Sequence, residues 1–201
     1  MNMDKQSFLI ERKKKLRKEF QSLRSMIPTE ERVRNESIIM QFVIESDVFT
    51  SSEIVCSYIA FGSEVATKQL HEHILNIGKT LLLPRIMGPK GMIMIAVDST
   101  TKYTSNRYGI QEPIGEAFTF DAAIPSICIM PLLSYDIYGH RLGYGGGFYD
   151  IFLENHSFLR RMGIAFSVQS SNIELPSEEH DMYLEFIVNE HGIYEIQKKP
   201  A

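Results

Sequence analysis

The chain has 201 residues, 44% hydrophobic and 23% charged. Those proportions exclude a disordered or collagen-like chain. The length fits one domain, 1–201, burying about 70% of its unfolded surface. With 21 Lys and Arg against 25 Asp and Glu, the net charge of -4 argues against a nucleic-acid partner that binds by bulk charge.

Residues 5–26 have a helical period through Phe8, Leu9, Leu16, Phe20 and Leu23, with a basic side in KKKLRK. Pro28 breaks the chain. Thr29 is the expected N-cap of a second helix running to about Ser46, with Val33, Ser37, Ile38, Phe42 and Val43 inward. Together 5–46 are expected to form an N-terminal helical hairpin. The pattern then changes. IVCSYIA at 54–60 is a nearly continuous apolar run, which suits a strand buried on both faces. Thr67 opens a helix to about Asn76, and Gly78 ends it. Further strands are expected at 80–84, 92–97, 126–131, 162–166, 186–189 and 193–196. A loop spans 103–115, a glycine-rich loop 139–147, and a helix 148–159. The alternation predicts an α/β fold with a mostly parallel sheet over 54–196.

Cys56 and Cys128 sit inside apolar runs and read as buried thiols, which fits a reducing compartment. No segment has a signal-peptide core or approaches the ~18 apolar residues of a membrane span. A soluble cytoplasmic protein with no membrane partner is expected. Its oligomeric state is open, with a monomer favoured.

The strongest chemical signal is SYDIYGHRLGYGGGFYD, 134–150, between a buried strand and a helix. Open α/β sheets bind ligands there, beyond the carboxyl ends of strands. Gly143, Gly145, Gly146 and Gly147 let backbone N–H groups approach an anion, and the helix from Phe148 adds its positive end. Arg141 brings a forked cation suited to phosphate. The spacing is neither GxGxxG nor a Walker loop, because 148 is Phe and the Gly78-Lys79-Thr80 run precedes a strand. Lys13 and Arg17, four apart, share a helix face and suit the same phosphates. Asp150 and Asp181 are candidate Mg²⁺ carboxylates. Ile59, Phe61 and Glu64, past the first strand, offer an apolar wall and one acceptor for a nitrogen heterocycle. His71 and His73, two apart on a helix, read as surface residues, and His140 as a possible phosphate contact. The methionines read as core filling.

RLGYGGGFYD closely resembles the signature of the 5-formyltetrahydrofolate cyclo-ligase family. The resemblance extends to Lys13 and Arg17, Ser63-Glu64, Pro84-Arg85, Gly109-Ile110-x-Glu112-Pro113 and His180-Asp181. It implies a three-layer α/β/α fold similar to that of sugar-phosphate isomerases and CoA transferases. It also implies ATP-dependent cyclisation of 5-formyltetrahydrofolate to 5,10-methenyltetrahydrofolate. ATP would be held by Lys13, Arg17, Arg141, Leu142, Gly143, Tyr144, Gly145, Gly146, Gly147, Phe148 and Tyr149. Of these, Lys13, Arg17 and Arg141 would be catalytic. Folate would lie on Ile59, Glu64, Tyr144, Gly145, Gly146, Gly147 and Phe148. Asp150 and Asp181 would sit at Mg²⁺. Ile151 and Gly146 depart from common family versions, where Arg and Lys occur. Two rivals are a nucleotide- or folate-binding module without turnover and a sugar-phosphate isomerase on the same fold.

Overall fold

Ile54, Val55 and Cys56 are all buried, as a strand covered on both faces requires. They form β1 (Ile54–Cys56), in the interior of a sheet that β2 (Thr80–Met87), β3 (Gly91–Val97), β6 (Ser126–Met130), β9 (Arg160–Ile164), β10 (Phe186–Asn189) and β11 (Gly192–Glu195) complete. In the computed structural model, residues 3–196 are described, with side chains from Ser7 onward. Residues 1–2 and 197–201 of the expected domain lie outside the described residues. The sheet order is β11-β10-β9-β6-β1-β2-β3. β10, β9, β6, β1 and β2 pair in parallel, and β11 and β3 close the edges antiparallel.

Alternate side chains build two cores. Val55, Leu81, Leu83, Ile127, Ile129, Met162 and Val188 face α2 (Thr29–Glu45), α3 (Asp47–Thr50) and α4 (Lys68–Asn76). Ile54, Cys56, Leu82, Cys128, Met130 and Ile187 face α5 (Phe148–Asn155) through Phe152 and Leu153. Cys56 and Cys128 are register partners with no exposed surface, as the burial of their runs implied. Each large core side chain contributes about 1.5–3 kcal/mol through burial.

Several expectations are corrected. α1 (Met3–Ser25) and α2 are consecutive, but each packs chiefly elsewhere: α1 on the 3₁₀ turn Ser167–Gln169, α2 on β10, β11 and α3. Thr29 is the first helical residue rather than the N-cap; Pro28 holds that position and gives no side-chain bond. Val33 and Ser37 face solvent, whereas Asn35, Ile39, Met40 and Val43 are buried, because the sheet selects a face rotated from the one expected. β1 stops at Cys56 because the chain leaves the sheet there. The Thr67 hydroxyl donates to the Tyr58 carbonyl and the Tyr58 hydroxyl to Val65 O. The expected helix 148–159 ends at Asn155. The loop 103–115 contains a hairpin, β4 (Tyr103–Ser105) with β5 (Gln111–Pro113). β7 (Ser134–Tyr135) and β8 (Arg141–Leu142) pair at the base of the glycine loop. Gly78, with φ of 76°, ends α4 as expected. No helix of the described residues is long and apolar enough to cross a membrane.

The chain runs from β1 outward to β2 on one side, then returns to β6 and proceeds to β9 and β10 on the other. The topological switch therefore falls between β1 and β6. Loops 57–67 and 131–147 leave the sheet on either side of that crevice, where an open α/β sheet receives its ligand.

Candidate active site

α1 lies across the carboxyl ends of these strands. Lys13, Phe20 and Arg24 are all buried on one of its faces, with Arg17 half-buried beside them. The spacings of seven and four bring these side chains to one stripe. A stripe that mixes cations with an apolar ring is built against polar chain as well as core.

The glycine loop meets that stripe. Arg17 Nε donates to Gly143 O at 2.8 Å. Gly145, with φ of 96°, passes so close that a Cβ there would lie 3.1 Å from the Arg17 guanidinium carbon. Gly147, with φ of 68°, is the left-handed residue that turns the loop into α5. Among the described residues, no N–H of Gly143, Tyr144, Gly145 or Gly146 donates to a protein acceptor. Those amides and the start of α5 form a ready anion site.

The expected cations and the expected metal ligands are one another's partners. Lys13 Nζ donates to Asp181 Oδ2 at 2.9 Å and Glu178 Oε2 at 3.2 Å. Arg141 donates to Asp150 Oδ1 at 2.7 Å and to the Met182 carbonyl. Asp150 Oδ1 also accepts the Met182 N–H at 3.0 Å. Burial raises the Asp181 carboxyl, but bonds from Lys13 and the Glu178 N–H outweigh it and hold it below its ordinary value. Burial lowers the Arg17 guanidinium, against the pull of Asp181 and Glu178.

The donor set beside Lys13 fits Mg²⁺ in part. Ligand atoms of Glu178, His180 and Asp181 lie within 4.8 Å of one another. The two carboxylates suit Mg²⁺; the exposed imidazole suits it less. Asp150 has one oxygen committed to two donors, so its second oxygen is the one that remains for a cation.

The other wall of the crevice follows β1. Glu64 is buried and accepts the Phe61 N–H at 2.8 Å. Burial raises its carboxyl above the ordinary value; the Phe61 N–H, Arg24 and Tyr144 each pull it down. Ile59 packs against the core while Phe61 is 47% exposed, so Phe61 is the open part of the expected wall. Tyr149 lies beneath, its hydroxyl pushed well up by burial and by Cys128 and Glu64. Phe148 lays its ring against Gly146, where a Cβ would fall 2.5 Å from it. A side chain at 146 therefore requires the Phe148 ring to move.

Two histidine expectations are corrected. His71 is half-buried, its Nε2 2.9 Å from Ser57 Oγ, and burial lowers it to about 4. It ties α4 to the start of loop 57–67. His140 is buried against Asp136, with Nδ1 2.8 Å from Oδ2, and its ring packs on Tyr183 rather than facing the glycine amides. Arg24, Arg32 and Glu178 belong to the site without being marked by any local motif. The helical spacing of Arg24 from Lys13 and Arg17 is the one signal the sequence offers for it.

The sequence model of the 5-formyltetrahydrofolate cyclo-ligase family matches residues 9–190. The chain belongs to that family. It is accordingly a ligase-class enzyme, and every site residue named above lies inside the matched span. A 5-formyltetrahydrofolate cyclo-ligase of Escherichia coli (strain K12) is 28% identical over 145 residues, 70% of this chain and 80% of that one. The cyclo-ligase of Mus musculus is 27% identical over 191 residues, 89% of this chain and 93% of that one. The solved 5,10-methenyltetrahydrofolate synthetase of Aquifex aeolicus superposes with a TM-score of 0.80 at 26% identity, covering 94% of this chain and 95% of that one. The Aquifex aeolicus protein thus shares the mixed α/β fold of this chain.

Proposed function

We propose that this chain catalyses the ATP- and Mg²⁺-dependent cyclisation of 5-formyltetrahydrofolate to 5,10-methenyltetrahydrofolate, releasing ADP and phosphate. The observation that carries this reading is a glycine loop with open amides, held by Arg17 and flanked by the carboxylate-paired Lys13 and Arg141 and by the buried Glu64. Membership of the family, whose relatives are named for this activity, supports it.

In this reading the ATP phosphates lie on the glycine loop, and Glu64 with Phe61 holds the pteridine. The N-formyl oxygen attacks the γ-phosphorus, and ADP departs. N10 then attacks the activated formyl carbon and loses its proton, and phosphate leaves as the ring closes. A formyl oxygen is a poor leaving group; as phosphate it is a good one. No protein nucleophile is required. The protein positions two substrates and neutralises spreading charge. Lys13 and Arg141 exchange carboxylate partners for phosphoryl oxygens, while Arg17, bonded to Gly143 O, fixes the loop. Asp181 with Glu178, and the second oxygen of Asp150, are the residues to hold Mg²⁺, which when bound supplies charge neutralisation at the phosphates. Glu64 accepts the pteridine N–H donors and orients the ring.

The test is absorbance. Purified protein, 5-formyltetrahydrofolate and Mg²⁺ are mixed with and without ATP, and the near-ultraviolet band of the methenyl product is followed. A rise that requires ATP supports the reading. No rise, with ATP still bound by calorimetry, overturns it in favour of a binding module.

A further inference from the structure

Arg24 is 2% exposed and carries a full charge, yet among the described residues it forms no salt bridge. Its acceptors are neutral and come from three distant segments. Nε donates to Ser63 Oγ at 3.0 Å, one terminal nitrogen to Leu132 O at 3.2 Å, and the other to the Tyr144 hydroxyl at 2.6 Å. The guanidinium carbon also lies 5.9 Å from the centre of the Tyr144 ring. Arg32 braces the same junction, donating to Ser63 O and Arg24 O, each at 2.6 Å.

A buried guanidinium bonded only to neutral oxygens is an expensive structural element, and packed apolar residues commonly replace such groups without loss. The negative charge that compensates Arg24 is Glu64, next in sequence to Ser63. Glu64 is also the residue on which the proposed function places the pteridine, and the role inferred for Arg24 rests on that reading. We propose that Arg24 is a positioning residue for the folate half of the site. It clamps Ser63 and Tyr144 on either side of the crevice and supplies the counter-charge for Glu64.

The charged and titratable groups that face Glu64 come from every surrounding element. They are Arg24 of α1, Tyr144 of the glycine loop, Tyr149 of α5 and Tyr58 just past β1. Glu36 of α2 adds a carboxylate nearby, accepting the Ala66 N–H at 3.1 Å and acting on Tyr58. Arg24 is the cation of this set, and removing it leaves burial of the Glu64 carboxyl opposed only by the bonds from the Phe61 N–H and Tyr144. Folate binding that needs the carboxylate then fails at a higher pH than in the native chain.

The experiment measures initial rates of methenyl formation by the full chain and by Arg24→Met and Arg24→Lys, varying ATP and folate separately across pH. In Arg24→Met the folate KM is expected to rise about 5-fold, the scale of losing one charge-assisted bond, with the ATP KM unchanged. The acid limb of kcat/KM for folate is expected to move to higher pH. Arg24→Lys is expected to restore the acid limb but not the full folate KM, because an ammonium cannot reproduce the planar fork. An equal rise in both KM values, or an unmoved acid limb, would overturn the proposal as a purely structural effect. Should Arg24→Met fail to fold, Tyr144→Phe removes the hydroxyl that accepts from Arg24 and also bonds Glu64, and keeps the Arg24 charge. It is expected to raise the folate KM about 2-fold, and an unchanged folate KM overturns the clamp. The native protein separates the two readings. No ATP-dependent product means that the proposed function fails, whereas native turnover with an unaltered folate KM in the variants means that only the role of Arg24 fails.

Discussion

The two ends of the crevice solve the problem of holding charge in opposite ways. At the end proposed to hold phosphate, Lys13 and Arg141 are each paired with carboxylates that solvent still reaches, Asp181, Glu178 and Asp150. The cations are 11% and 7% exposed and their carboxylates 19–31%, so the carboxylates are the side from which an anion of higher charge would compete. At the other end, Glu64 and Arg24 are buried among fixed hydrogen bonds: Glu64 accepts from Phe61, and Arg24 donates to Ser63, Leu132 and Tyr144. Nothing there exchanges cheaply, which suits the fixed orientation of one planar ligand that the proposed function requires. α1 serves both: Lys13 and Arg24 are eleven residues apart, about 16 Å along a helix.

The sharpest way to break this contrast is Arg141→Ala. Turnover is expected to fall at least ~100-fold, the scale of removing one key electrostatic group, with the folate KM little changed. Arg141→Lys should recover little, since a compact ammonium on a flexible stem lacks the planar fork that Arg141 presents to Asp150 and the Met182 carbonyl. Next is Lys13→Ala, expected to raise the ATP KM about 30-fold from the loss of a charged contact. Glu64→Gln tests the other end: an increase of about 10-fold in the folate KM is expected, and the acid limb attributed to this carboxyl should disappear.

The last expected effect concerns stability rather than turnover. His71 is held neutral in the folded chain, at about 4 against an ordinary value of 6.5. Unfolded protein therefore takes up the proton first, and stability falls as pH drops from about 6.5 toward about 4. The loss is expected to reach about 2 kcal/mol. His71→Phe should flatten that part of the Tm-against-pH curve. Because His71 anchors the start of loop 57–67 through Ser57, acid is expected to weaken folate binding before ATP binding.

The same contrast explains which parts of the molecule are legible in the sequence. The glycine loop, Arg141, the first part of β2 at 80–84 and the strands at 126–130 and 186–189 declare themselves locally, through composition or through continuous apolar runs. Lys13 and Arg17 are readable because a helix period is local too. Arg24 is not: its partners Ser63, Leu132 and Tyr144 lie 39, 108 and 120 residues away. Nor does the sequence say that Asp150 would meet Arg141 or Asp181 meet Lys13; the first pair joins β8 to α5, and the second arises only when α1 is laid over the strand ends. The inward face of α2 departs from the expected one for the same reason. Asn35 is buried near Glu190, 155 residues distant, so the periodicity of α2 alone could not orient it.

The most direct measurement compares both KM values in Lys13→Ala and Glu64→Gln on one preparation each, by methenyl absorbance. The expected pattern is crossed: Lys13→Ala raises the KM for ATP and leaves that for folate, and Glu64→Gln does the reverse. A parallel rise of both constants in both variants would contradict a crevice divided into a phosphate end and a pteridine end.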